Sequence, residues 1–203
     1  MLNLTDKEAF RLRTQFRYYR NERKRIMLDS IKYIELYFND RKPPRCCYPF
    51  LIDEGFYWSV KDIALFNVKS RSSIVRTMQR MSGLDEWREK LSALKRTATT
   101  ERGRVIGVYH QDIFDLLIDF WEEEYLMRFA RPRHGDPTKA PSINELRSYW
   151  ATLKAEDVRQ FSVFAIGALP PSTAHTGGIA GVLAESLRRF FRKVRQYIGI
   201  VQP

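Results

Sequence analysis

Apolar residues recur at spacings of three and four along most of the chain, and the breaks in that rhythm mark out its elements. Thr5-Asp6-Lys7-Glu8 is a capping box: the Thr5 hydroxyl can accept from the Glu8 amide, and the Glu8 carboxylate from the Thr5 amide. A first helix should start there and stop at Arg41-Lys42-Pro43-Pro44. Its seam is Phe16, Tyr19, Arg23, Ile26/Met27, Ser30/Ile31, Ile34 and Tyr37/Phe38. The seam is clean only after Ile26, which predicts an N-terminal half projecting into solvent with its arginines outward. The aromatic stretch 46–58, broken by Pro49 and Gly55, reads as loop plus a short strand. Ser59-Val60-Lys61-Asp62 opens a short helix to Phe66. Ser70 caps another, with Ile74, Val75, Met78 and Met81 inward and Gly83 at its end. Residues 85–96 make a fourth helix burying Trp87, Leu91 and Leu94.

Residues 97–104 have no helical stripe, end in a glycine turn, and lead into Val105-Ile106-Gly107-Val108-Tyr109, which has strand composition, so a β-hairpin is expected. From His110 to Ala130 a strongly apolar helix must carry its acids on the remaining face. Residues 131–141, rich in Pro and Gly, read as a linker. Ser142-Ile143-Asn144-Glu145 is another capping box, opening a helix through Leu146, Tyr149, Trp150 and Leu153; residues 156–168 form a further helix and 179–197 a last one. The expected fold is therefore mainly α with a small β-hairpin: a basic N-terminal helix over 1–45, a core over 46–130, the linker 131–141, and a C-terminal helical segment over 142–203.

Charge sharpens the picture. The 203 residues carry a formal net charge of +11, with 44% hydrophobic and 13% aromatic residues, enough to fill a core and too many for a disordered chain. Between Arg11 and Arg25 there are seven basic residues against one acid, Glu22; between Glu185 and Arg195 five against one. Gln111 to Tyr125 holds six acids and no base. Such a dipolar molecule is suited to orienting on a polyanion. The charged N-terminus predicts no secretory leader, and adjacent Cys46-Cys47 cannot form a disulfide framework, so a cytoplasmic location is expected, nucleoid-associated in a bacterium. The uncharged stretch 161–184 is interrupted by Pro170-Pro171 and Gly177-Gly178, and no membrane span is expected.

Catalytic signals are sparse. His110, His134 and His175 lie in separate segments, Thr176-Gly177-Gly178 lacks a following Gly-Lys-Ser/Thr, and no zinc ligand quartet or dinucleotide fingerprint occurs. Asp112, Asp115, Asp119 and Glu122 share one helix face, where a divalent cation could bind, although a wet amphipathic face is the commoner meaning of such a row. We expect no catalytic residues, no metal and no cofactor.

The sharpest pattern is Val60-Lys61-Asp62-Ile63-Ala64-Leu65-Phe66-Asn67-Val68-Lys69-Ser70-Arg71-Ser72-Ser73-Ile74-Val75-Arg76. It resembles the helix-turn-helix of repressors of the lactose-repressor type, whose Asp-(Ile/Val)-Ala helix leads through a short turn to a Ser-capped recognition helix. Without a gap, Val68 falls at that family's glycine and Lys69 at its buried aliphatic. Alternatively Asn67 takes the left-handed position, Val68 becomes the buried turn residue, and the turn is one residue shorter. More loosely, the order from Phe56 through Trp87 to His110-Gln111-Asp112 is similar to the KilA-N type of phage and viral DNA-binding domain, although its Asn-Ala-Thr core is absent.

The resemblance implies a winged or KilA-N-like helix-turn-helix unit flanked by long amphipathic helices, and duplex DNA as partner. Arg71, Ser72, Arg76 and Gln79 would then face base edges. Lys61, Lys69, Ser73 and Arg80 would meet phosphate, with Arg102 and Arg104 on the hairpin as a wing. The interleaving of Phe16, Tyr18 and Tyr19 with arginines suits phosphate contact plus stacking, through Arg17 and Arg20, and Arg188 and Arg192 would act likewise from the last helix. The expected function is non-catalytic nucleic-acid binding in a regulator or a replication or mobile-element protein, with the flanking helices completing the core or pairing a homodimer. The rival is a helical accessory subunit of a ribonucleoprotein or other assembly, gripping RNA or a protein partner through its basic helices.

Overall fold

In the computed structural model, residues 4–38, 49–53, 55–131 and 141–165 are described. They are mainly helical with a small four-stranded antiparallel sheet. One compact unit spans Lys7–Arg131, and the helix α6 (Ile143–Ala165) belongs to a second. Among the described residues no helix is long and apolar enough to cross a membrane. The expected helix 179–197, with Arg188 and Arg192, and the linker lie outside the described residues, apart from Arg131 and Pro141 at the linker's ends.

The first unit opens with α1 (Asp6–Phe38). Contrary to the projecting half expected from the seam, Leu12, Phe16 and Tyr19 are buried, as are Ile26 and Ile34. The Tyr19 hydroxyl donates to the backbone carbonyl of Trp121 at 3.1 Å, and its ring meets Tyr125 edge-on. Burial pushes that phenol up to about 12, so it remains a donor at neutral pH. Arg11, Arg13 and Arg17 stay on the exposed side.

β1 (Phe50–Ile52) and β2 (Gly55–Ser59) form a hairpin where only one strand was expected. After α2 (Val60–Phe66), α3 (Arg71–Ser82) and α4 (Asp85–Ala93) come β3 (Lys95–Thr99) and β4 (Val105–His110), then α5 (Ile113–Phe129). The sheet order is β1-β2-β4-β3, with Trp58 opposite Tyr109 and Arg96 opposite Val108. The single expected hairpin is thus half of a larger sheet, because β2 pairs back onto β4. The helix expected to reach residue 96 ends at Ala93, and Lys95 and Arg96 are strand residues.

An aromatic cluster ties these layers together. Trp58 of β2, Phe66 of α2 and Phe114 of α5 have ring centroids 4.9 to 6.1 Å apart, and Tyr33 of α1 meets Phe66 at 5.1 Å. Edge-to-face geometry adds to the area these rings bury. Ile63, Ile74, Met81, Val108, Ile113 and Leu117, all fully buried, fill the space around them.

In the second unit α6 starts at the expected capping box. Ser142 Oγ accepts from the Glu145 amide at 3.2 Å, and the Ser142 amide donates to Glu145 Oε2 at 2.9 Å. These bonds to the charged form hold the Glu145 carboxyl below its ordinary value. The two helices expected between 142 and 168 are one, uninterrupted to Ala165.

Candidate nucleic-acid interface

α2 and α3 are each fixed by a local cap. Ser59 Oγ accepts from the Asp62 amide at 3.3 Å while Asp62 Oδ2 accepts from the Ser59 amide at 3.2 Å, a complete capping box. Ser70 Oγ accepts from the Ser73 amide at 3.2 Å and opens α3. Ile63, Ala64 and Ile74 are all buried.

The turn between them follows the ungapped reading. The Lys69 amide donates to Ala64 O at 2.9 Å and the Val68 amide to Leu65 O at 3.0 Å, the two bonds of a Schellman termination. The left-handed residue is Val68, at φ 51°, and it is 79% exposed. Asn67 does not take that role: at φ −80° it is 4% exposed, and its side-chain amide donates to Ile63 O at 2.7 Å. Burying Asn67 and bonding it to the helix end outweighs the steric objection to a β-branched residue at positive φ. The objection remains as strain, on the order of 1–2 kcal/mol. Val68→Asn is therefore expected to stabilise the protein by about 1 kcal/mol and to raise the melting temperature by roughly 2–4 °C, as read by circular dichroism. An unchanged or lower value would show that the turn is unstrained.

Outward from this scaffold, Ser72, Arg76 and Gln79 recur at four and three along α3, opposite the buried Ile74, Met78 and Met81; Arg71 flanks them at the helix start, and all four are exposed. Ser72 Oγ lies 3.0 Å from Ser70 Oγ, so that hydroxyl is shared with the cap. Lys61, on α2, is exposed. Lys69 is exposed and holds its ammonium over the Trp121 ring at 4.8 Å, where the lactose-repressor pattern has a buried aliphatic. Ser73 is half-buried, its amide taken by the cap and its carbonyl by Thr77 Oγ1. Arg80 is drawn toward α5, where it binds both oxygens of Glu124, at 2.8 and 3.1 Å, so its guanidinium is already engaged.

The β3–β4 hairpin closes through Thr100. Its amide donates to Arg104 O and its carbonyl accepts from Gly103, whose φ of 74° suits glycine. Arg102 and Arg104 are exposed at this tip. Two cations escaped the sequence reading, Lys95 and Arg96, both exposed on β3. The two threonines at Thr97 and Thr99, two and four residues after Lys95, were the available strand signal, hidden by the apparent continuation of the preceding helix. Among the described residues, Lys61, Arg71, Arg76, Lys95, Arg102 and Arg104 enter no ion pair.

Of the remaining expected contacts, Arg188 and Arg192 lie outside the described residues and two are on α1. Arg17 is exposed on α1, and Arg20 is half-buried with its guanidinium 3.4 Å from Asn21 Oδ1. Of the expected carboxylate row, Asp112 pairs with His110 at 3.2 Å and the other three meet Arg23. Arg23 donates to Asp115 at 3.0 Å, Asp119 at 2.9 Å and Glu122 at 3.3 Å. The close packing pushes the Asp115 carboxyl above its ordinary value, against the opposing pull of Arg23. Compared with models of known protein families, with curated proteins and with solved structures, the chain matches none.

Proposed function

We propose that the central part, from about Phe56 to Phe129, forms a winged or KilA-N-like helix-turn-helix unit that binds duplex DNA without catalysis, in a regulator or a replication or mobile-element protein. One observation carries this reading. From Lys61 to Arg80 the chain holds five basic residues and a single acid, Asp62, which is buried in a helix cap, so the surface of this stretch is purely cationic. The order of elements supports it: a strand, three helices of which the first two are joined by a short turn, and a hairpin whose second strand pairs back to the first. In this reading Arg71, Ser72, Arg76 and Gln79 face base edges in the major groove, and Lys61, Lys69, Arg102 and Arg104 meet phosphate, with Lys95 and Arg96 added to that set.

The rival, RNA or a protein partner held by the basic helices, finds less support in α1. Of the three aromatics interleaved with its arginines, Phe16 and Tyr19 are buried and only Tyr18 is exposed for stacking.

Binding of fluorescent duplex DNA, single-stranded DNA and structured RNA across a salt series tests the proposal. Duplex should bind most tightly, with log K falling against log salt at a slope of about −5 for six neutralised phosphates. Preference for RNA, or a slope of about −1, would sink it.

A further inference from the structure

Behind the turn that delivers α3 lies a cavity of about 160 Å³. Its walls come from α1, from the turn and from α5. Tyr18, Tyr19 and Trp121 supply ring surface, and Lys69 and Arg128 supply positive charge. Glu22 also lines it, but its carboxylate binds Arg25 at 2.7 Å, which offsets its charge. Arg128 commits its Nε to Glu124 O at 3.1 Å, leaving its terminal guanidinium nitrogens for other acceptors.

Asn67 lines the same cavity. Its amide nitrogen is fixed on Ile63 O, which determines which end of the side chain remains, and the buried Oδ1 has no hydrogen-bond partner. A buried acceptor left unsatisfied costs about 1–3 kcal/mol, and a ligand that donates to it recovers part of that. Size narrows the choice further. An apolar cavity of about 150 Å³ admits one benzene ring, so this one has room for a single substituted ring.

We propose that the cavity binds a single-ring aromatic anion carrying a hydrogen-bond donor. The ring packs against Tyr18, Tyr19 and Trp121, the anionic group meets Lys69 and Arg128, and the donor satisfies Asn67 Oδ1. Each part answers a different feature of the walls. The site does not depend on the duplex-binding reading, and its test does not involve DNA.

The probe is 4-hydroxybenzoate, titrated into the full chain labelled with ¹⁵N and followed through the indole N–H signals of the four tryptophans. Trp121 is assigned by loss of its signal in Trp121→Phe. The expected result is a saturable shift confined to Trp121. Benzoate, which lacks the donor, should bind about tenfold more weakly, and Lys69→Gln should weaken 4-hydroxybenzoate by a similar factor. Lys69 is exposed, so that variant should fold normally. No saturation by about 10 mM, equal shifts at all four indoles, or affinity indifferent to both changes would overturn the proposal.

Discussion

Arg23→Met is expected to destabilise the protein by about 3 kcal/mol, lowering the melting temperature by roughly 6–12 °C. The guanidinium is 13% exposed and serves three carboxylates of α5, of which Glu122 is only 7% exposed. Removing a cation from a buried carboxylate costs about 3–5 kcal/mol. The Asp115 and Asp119 side chains keep partial exposure, 40% and 43%, against 7% for Glu122, so the lower end of that range applies. Arg23→Lys should recover only part of the loss, because one ammonium cannot reproduce a fork that spans three acceptors. A loss under about 1 kcal/mol would mean that the cluster behaves as an ordinary surface network.

The same substitution carries a pH signature. Asp115 is raised in the folded state by burial and lowered by Arg23, with burial the larger effect. A carboxyl raised on folding makes the folded state hold its proton to higher pH than the unfolded chain does. Stability attributable to Asp115 therefore falls as pH rises through the window between the unfolded and the folded value. Without Arg23 the folded value rises further and the window widens. The variant's deficit should accordingly grow from about pH 4 to neutrality and shrink on acidification, as measured by urea unfolding at each pH.

Local caps were the most legible part of this chain. Ser59 with Asp62, Ser70 with Ser73 and Ser142 with Glu145 each close over three residues, so sequence alone contains both partners. Pairings across the chain were not legible. Arg23 finds Asp115 and Glu122 at separations of 92 and 99 residues, and nothing in the row of α5 acids says which cation answers it. β1, only three residues long, exists by pairing with β2. β3 likewise owes its strand to β4: Lys95 and Arg96 follow Leu91 and Leu94 in helical rhythm, and their pairing with Tyr109 and Val108 overrides it.

The turn residue shows how tertiary context decides between two local preferences. Asparagine tolerates the left-handed region and valine resists it, so propensity favours Asn67 for that position. Yet Val68 in its place would have to be buried, and Asn67 would lose its bond to Ile63 O. Exposing Val68 and burying a bonded amide satisfies the helix end, and the strain falls on one φ angle. The candidate face on α3 was readable for the opposite reason: it is the complement of the buried Ile74, Met78 and Met81, and helical geometry fixes the one once the other is known.

That face supports the second large effect. Arg71→Ala with Arg76→Ala is expected to weaken binding to a selected duplex site by about 3 kcal/mol, roughly two orders of magnitude, and to leave stability within about 0.5 kcal/mol. Both side chains are exposed and, among the described residues, neither enters an ion pair, so the fold should not register their loss. Base and phosphate contacts separate in the salt series. If these arginines read guanine, selectivity between specific and unrelated duplex collapses while the slope of log K against log salt changes by less than about one. If they only neutralise phosphate, both duplexes weaken together and the slope falls by about two. Lysine at both positions sharpens the test, since it keeps the charge and loses the bidentate fork: non-specific affinity should return and selectivity should not. Selectivity that survives the alanine pair would remove α3 as the reading element, whatever the overall affinity for DNA.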